Sequence, residues 1–308
     1  MDKGWRFQTD ELKYVSEVLA NGFGASETGA FTERLENAFA EKHNQKYGIG
    51  CNSGTSTLHA ALEAFGVGEG DEVIIPALTV AMCGYAVTHA NAIPVYADVC
   101  KDTFNIDPED IKRKITPKTK AIMVVHIYGL MCDMEAIEEI AKEHSLYILE
   151  DCAQCFLAHD HRGKIAGTAG DVGSWSGKVR ISRDKFQNPD WKRHNILAYN
   201  YRLPEICAAV ALAQVEKMDE LCLKRRLMGE AYLDVINESK SDILIPQKTP
   251  EGYTNSYYTF GAIFNGEKYG IKWQEFRKKY MEFGGDGIYA AWQLVYNEPC
   301  FKNQKIGW

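Results

Sequence analysis

The sequence predicts an α/β protein: a mostly parallel central sheet with helices on both faces, followed by a smaller α+β C-terminal domain. Three observations predict it. Short apolar runs alternate with helical spacings along most of the chain, the rhythm of successive strand-helix-strand units. One run, Leu146-Tyr147-Ile148-Leu149, is apolar or aromatic throughout, as a strand buried on both faces must be. That run ends in two carboxylates, Glu150 and Asp151, and ligands of open sheets bind beyond the carboxyl ends of strands. An acid buried there needs a cation, and a protonated heterocycle nitrogen would serve. The plainer alternative is a strand-end Asp capping the next helix.

Each element follows in order. Residues 9–21 have helical spacing behind Thr9-Asp10 and stop at Asn21-Gly22, and Thr32 to His43 reads as a second helix. Tyr47 to Cys51 reads as a short strand that passes through Asn52-Ser53-Gly54-Thr55-Ser56 into an Ala/Leu helix. Backbone amides of Gly54, Thr55 and Ser56 at that helix start suit a phosphate, although small residues before a helix are commonly only a cap. Strands are expected at 72–76, 94–98 and 120–126, with helices from Val80 to His89, behind Asp107-Pro108, and from Met134 to His144. Asn52, His126 and Asp151 then lie at the ends of different elements around one crevice. Further on, Glu205 to Leu223 and Arg226 to Ile236 read as helices, Tyr257 to Phe264 as a strand, and Trp273 to Phe283 as a helix of the smaller domain.

Composition narrows the function classes. The 308 residues are 45% hydrophobic and 25% charged, enough for a sizeable core. A net charge of −7 argues against nucleic acid or an anionic membrane surface as the main partner, and Lys224-Arg225-Arg226 reads as a solvated helix face. No signal peptide and no bilayer-length apolar run is evident. Nine cysteines without a regular framework point to a reducing cytoplasm. Cys152 and Cys155 form a C-x-x-C with no second pair for zinc, and His159-Asp160-His161 reads as a solvated turn, so no metal site is expected.

An ordered set of motifs carries a resemblance. The Ser53-Gly54-Thr55 turn, Gly70-Asp71-Glu72-Val73-Ile74, Val125-His126-Ile127-Tyr128-Gly129, Glu150-Asp151-Cys152-Ala153-Gln154, the run from Gly167 to Ser176, and Tyr199-Asn200-Tyr201-Arg202-Leu203 occur in that order. With them the chain resembles the pyridoxal-phosphate nucleotide-sugar aminotransferases of the DegT/DnrJ type. The resemblance implies the aspartate-aminotransferase fold, a homodimer with its cofactor near the subunit interface, an amino-acid donor, glutamate by preference, and a keto-deoxysugar acceptor linked to a nucleotide. Carried over by position, Asp151 would pair with the pyridine nitrogen and Gln154 with the 3-oxygen. Gly54, Thr55, Ser56 and Ser176 would bind the phosphate, and Asn200 would reach it from the neighbouring subunit. His126 and Tyr128 are substrate-side candidates. The implied division is a cofactor-binding domain over 1–225, whose N-terminal helix packs on the small domain, and a small domain over 226–308.

The chain departs from the pattern where the chemistry is. The family sets its Schiff-base lysine five residues after the serine matched by Ser176, and position 181 is Ile181; Lys178 is too near. From Ser176 to Asn200 the chain is also short by about 30 residues, room for a strand pair and a helix at common element lengths. Either a segment between Ser176 and Gly177 belongs to a longer gene product, or the protein is a lysine-less relative: a pyridoxamine-phosphate sugar dehydratase or a non-catalytic partner. The first is preferred, because a dead enzyme has little need of an intact Asp151/Gln154 site. Val80 stands where the family stacks an aromatic on the ring. The small-domain end looks incomplete, and Gly284 to Tyr289 reads as a loop approaching the sugar.

Overall fold

The computed structural model describes residues 10–24, 29–174, 199–285, 287–290 and 293–302. Five strands form one parallel sheet: β1 (Glu72–Pro76), β2 (Ile93–Ala97), β3 (Thr119–Val125), β4 (Tyr147–Asp151) and β5 (Val172–Ser174), in the order β2-β1-β3-β4-β5. The chain runs from β1 outward to β2 and then back past β1 to β3. Strand order therefore reverses between β1 and β3, where α/β sheets open a crevice for ligands.

Side chains of successive strand residues point to opposite faces, so each strand supplies two layers of core. On one face Ile74, Ile122, Val124 and Ile148 pack under α5 (Pro108–Lys114) and α6 (Met134–His144), which contribute Ile111, Met134, Ile137 and Ile140. On the other, Val73, Ile75, Met123, Val125 and Leu149 pack under α3 (Gly54–Ala64) and α4 (Met82–His89), through Leu58, Ala61, Leu62 and Val87. Each such aliphatic side chain, fully buried, contributes about 1.5–3 kcal/mol. α5 starts as its sequence dictates, with Pro108 in the first turn and the Asp107 side chain accepting the Glu109 N–H.

A third layer joins α1 (Glu11–Ala20), α2 (Phe31–Lys42) and α7 (Glu205–Glu216), where Tyr14, Val18, Phe31 and Leu35 meet Ala208, Ala209 and Leu212. α1 thus packs on α7. The 225/226 division falls inside α8 (Met218–Ser239), a helix that leads to the antiparallel pair β6 (Leu244–Pro246) and β7 (Ala262–Phe264) and to α9 (Trp273–Glu282). A last short helix, α10 (Pro299–Lys302), returns to the large sheet, where Phe301 lies against Gly84 of α4 and the Val295 N–H donates to the Ala77 carbonyl.

Three expectations about elements differ. Tyr47 to Cys51 is not a strand: Gly50 gives its N–H to the Glu36 carboxylate, and only Cys51 bridges to a neighbour, Arg202. The long helix after Glu205 breaks at Lys217 into α7 and α8. Of Tyr257 to Phe264 only the last three residues are strand, because residues 255–259 bond to the turn after β3 instead.

Candidate active site

The two acids at the end of β4 point to opposite faces. Glu150, on the α5/α6 side, is fully buried and holds four donors. Its Oε1 accepts the N–H groups of Ala169 at 2.8 Å and Gly170 at 2.6 Å; its Oε2 accepts the Gly167 N–H at 2.9 Å and the His126 Nε2–H at 2.8 Å. The Cys132 N–H donates to His126 Nδ1 at 3.1 Å, which puts the ring proton on Nε2. Glu150 is therefore a structural acid that fastens the 167–170 loop to the sheet, not a group presented to a ligand. His126, Glu150 and Cys152 bring potential ligand atoms within 4.8 Å of one another, but the carboxylate is already saturated.

Asp151 lies on the α3/α4 face. Its Oδ1 accepts the Ala153 N–H at 3.0 Å, and its Oδ2 accepts the thiol of Cys83, on α4, at 3.3 Å. Burial pushes its carboxyl up, more than these two bonds bring it down. A buried carboxylate with two weak donors and no full cation among the described residues is an incomplete electrostatic pair.

The start of α3 stands beside it. Ser53 caps the helix: its Oγ accepts the Ser56 N–H at 3.2 Å, while the Ser56 hydroxyl donates to Asn52 Oδ1 at 2.7 Å. Thr57 Oγ1 donates to the Gly54 carbonyl at 2.6 Å and also bonds Ser174, the β5 residue paired with Asp151, so the helix start is fastened to the strand end that carries the acid. The N–H groups of Gly54 and Thr55 precede the first intrahelical bond and face outward with the positive end of the helix dipole.

The chain that builds this arrangement has relatives. The profile of the DegT/DnrJ/EryC1/StrS aminotransferase family matches residues 6–177 and 180–305. The chain belongs to that family. It is an enzyme of the pyridoxal 5′-phosphate-dependent sugar aminotransferase class. It is 37% identical over 253 residues to a GDP-perosamine synthase of Escherichia coli O157:H7, spanning 74% of this chain and 68% of that protein. It is 32% identical over 288 residues to an L-glutamine:2-deoxy-scyllo-inosose aminotransferase of Streptomyces fradiae, spanning 80% and 67%. A solved aminotransferase from Psychrobacter cryohalolentis superposes with a TM-score of 0.86 at 27% identity, covering 96% of this chain and 86% of that one.

The residues present fit the aminotransferase cofactor in two respects. A protonated pyridine nitrogen supplies the cation that Asp151 lacks, and a phosphate suits the N–H groups of Gly54 and Thr55. Of the three cradle residues, Ser56 has its N–H and hydroxyl engaged internally, so Gly54 and Thr55 carry the outward amides; Ser53, outside the expected set, does the capping. Gln154 is buried and its Oε1 accepts the Tyr128 N–H at 2.8 Å. Of the two substrate-side candidates, only His126 is closed off. His126 is fully buried with both ring nitrogens engaged, which leaves none for a substrate. Tyr128 is half-buried, its hydroxyl pushed up by burial, and its backbone is at φ 60°. Asn200 is exposed; its carbonyl accepts from Asn52 Nδ2 at 3.3 Å within the same chain, and its Oδ1 accepts from Arg202. Ser176, Lys178 and Ile181 lie outside the described residues.

Cys83 and Thr79 were not foreseen as site residues; no motif spacing links them to Asp151, and only the packing of α4 on β4 does. A mostly apolar cavity of about 690 Å³ lies between α2, α7 and α8, bordered by Gln154, Leu35, Phe39 and Val210; neither Asp151 nor Gly54 lines it.

Proposed function

We propose that the protein moves an amino group from an amino acid, glutamate by preference, to a keto group on a nucleotide-linked deoxysugar. Asp151 carries the reading: an uncompensated acid at the tip of a central strand, on the same face as an open helix N-terminus, matches a heterocycle with a phosphate tail. Pyridoxal phosphate, when bound, supplies an electron sink for charge developing at the donor's Cα. Asp151 holds the proton on the ring nitrogen. Gly54 and Thr55 hold the phosphate, with Ser176 as a third contact and Asn200 reaching in from a neighbouring subunit, so that the working unit is a homodimer. Gln154 donates to the ring's 3-oxygen.

A lysine on the segment expected between Ser176 and Gly177 would hold the cofactor's aldehyde and serve as the base. The family profile breaks between 177 and 180, beside that position, which favours a longer gene product over a lysine-less dehydratase. An intact mass well above 34.7 kDa for the gene product is expected; a mass equal to the 308 residues would select the dehydratase or non-catalytic reading. Titrating pyridoxal phosphate into the protein tests the site itself. Saturable binding that Asp151→Ala weakens by about a hundredfold is expected for a broken buried pair, and equal binding by both proteins would end the assignment. Amine transfer from glutamate to a nucleotide-linked keto-sugar, followed by product mass, then separates the transferase from a dehydratase.

A further inference from the structure

The thiol bonded to Asp151 has no part in the function described so far. Cys83 is the second residue of α4 and is fully buried. Its Sγ lies 3.3 Å from Asp151 Oδ2 and 3.4 Å from Thr79 Oγ1, four residues earlier in the chain. A carboxylate only accepts, so the thiol proton goes to Asp151 and the Thr79 hydroxyl donates to the sulfur. Burial, and then the charge of Asp151, push the thiol well up, so it stays a donor at every working pH. The result is a directed chain from Thr79 through Cys83 to Asp151, which starts in the loop after β1, at the reversal of strand order.

This chain is the only side-chain bond to Asp151 among the described residues, because the other oxygen is held by the protein backbone at Ala153. The ionisable groups near Asp151 are few. Just after β3, His126 is committed to Glu150; just after β4, Cys152 feels the Asp151 charge; from β2, Tyr96 feels Cys83; and on α3, His59 bonds Tyr201. None of these competes with Cys83 for Oδ2. A thiol is a weak donor. It can set the rotation of the carboxylate without drawing off the negative charge that a ring proton needs.

We propose that Cys83 is a positioning residue for Asp151: its thiol fixes the carboxylate's rotation and leaves it basic enough to hold the proton of a cofactor ring. The proposal rests on Asp151 being the ring's partner, and its test separates the two. In the unloaded full-length protein, the Asp151 carboxyl is titrated by carbon NMR after selective labelling, in wild type, Cys83→Ser, Cys83→Ala and Cys83→Val. Cys83→Ser, a stronger donor, is expected to lower the carboxyl's proton affinity about threefold or more, and removal of the donor in Cys83→Ala or Cys83→Val to raise it by a similar factor. Pyridoxal phosphate Kd is measured on the same proteins. Cys83→Val, which no longer holds the carboxylate's rotation, is expected to bind about tenfold more weakly; Cys83→Ser, which restores the rotation but draws off some of the charge, is expected to recover only part of that loss.

Mere core packing predicts the opposite pattern, with Cys83→Val tolerated and an unchanged Asp151 titration in all three variants; that result overturns the proposal. Cys83→Ala supplies the donor-free case should valine not fit. If the titration moves as stated while wild type and Asp151→Asn bind pyridoxal phosphate equally, the coupling stands and the ring assignment falls.

Discussion

Glu150 and Asp151 are adjacent in sequence and identical in charge, yet their amide substitutions are expected to fail in opposite ways. Glu150 fills about four acceptor positions with four donors at 2.6–2.9 Å. In Glu150→Gln the remaining oxygen keeps two of those donors, while the new NH2 faces the other two. Two buried donors are then stranded at about 1–3 kcal/mol each, so a loss of about 3–5 kcal/mol is expected, in the range seen when one half of a buried ionic network is removed. Asp151→Asn strands no donor: the amide oxygen accepts the Ala153 N–H and the NH2 can face the Cys83 sulfur, whose weak thiol proton then turns to Thr79 Oγ1. Burial raises the Asp151 carboxyl, so the folded unloaded protein binds that proton more tightly than the unfolded chain and pays for the charge above both pKa values. Removing the charge leaves unloaded stability at neutral pH within about 1 kcal/mol of wild type or above it. Urea unfolding of both variants without cofactor reads the stabilities; a pyridoxal phosphate titration reads the site. Expected are a destabilised Glu150→Gln and a stable Asp151→Asn that binds about a hundredfold more weakly. Equal stability losses in the two variants, or tight cofactor binding by Asp151→Asn, would refute the division of labour between the two faces.

Other outcomes follow from the same structure. Gly129, at φ 113°, leaves no room for a side chain, since a Cβ would sit 2.6 Å from the Tyr257 N and 2.8 Å from Ser256 Oγ; Gly129→Ala is expected to cost about 2–4 kcal/mol in urea unfolding and to weaken the cofactor, and a neutral result would show that the turn is not tightly held. Gln154→Glu is expected to keep the bond to the Tyr128 N–H but to place a negative oxygen toward the cofactor's 3-oxygen, weakening pyridoxal phosphate about tenfold or more in a binding titration while leaving unloaded stability nearly intact. His43 and His59 both have lowered pKa values, with burial the main cause, so the folded state takes up these protons less readily than the unfolded chain. Their contribution is complete above the unfolded value near 6.5 and is lost as pH falls through the window below it; the urea midpoint is expected to drop between pH 7.5 and 5.5, with a smaller drop in His59→Gln.

Much of the sheet was legible because β1, β3 and β4 are short apolar runs between helical spacings, and Asp107-Pro108 announces α5. The same apolarity hid the orientation of the two acids. A strand covered on both faces has no period-2 signal, so nothing in Leu146 to Leu149 says which of Glu150 and Asp151 faces α3. Cys83 was out of reach for a different reason: its bond to Asp151 spans 68 residues and depends on how α4 lies on the sheet. Ser53 was legible, as a serine before a glycine at a helix start, but the weight given to Ser56 obscured it. Tyr47 to Cys51 misled because glycines at 48 and 50 flank apolar residues in a strand-like pattern. Its N–H at Gly50 goes to a helix side chain, and a Cβ at Gly48 would lie 2.4 Å from the Glu36 carbonyl oxygen.

The orientation of Gln154 is set through the loop between β6 and β7. A backbone N–H needs an acceptor, so the bond from Tyr128 fixes Oε1 inward and leaves the amide nitrogen as the group that faces away from it. Tyr128 aims that N–H from φ 60°, a conformation costly for a tyrosine unless its neighbours hold it. They do: Thr259 donates its N–H to the Tyr128 carbonyl, and Ser256 donates both N–H and hydroxyl to the Gly129 carbonyl. Behind them Asn255 holds the Tyr257 N–H and donates to Gln247, which in turn donates to the carbonyls of Thr103 and Ile127. The strained turn after β3 is therefore held from the 255–259 loop between β6 and β7, and the donor polarity of Gln154 depends on a segment more than a hundred residues away in sequence. Displacing that loop would free the Tyr128 N–H and let the Gln154 amide turn over, and so change the group proposed to face the cofactor's 3-oxygen.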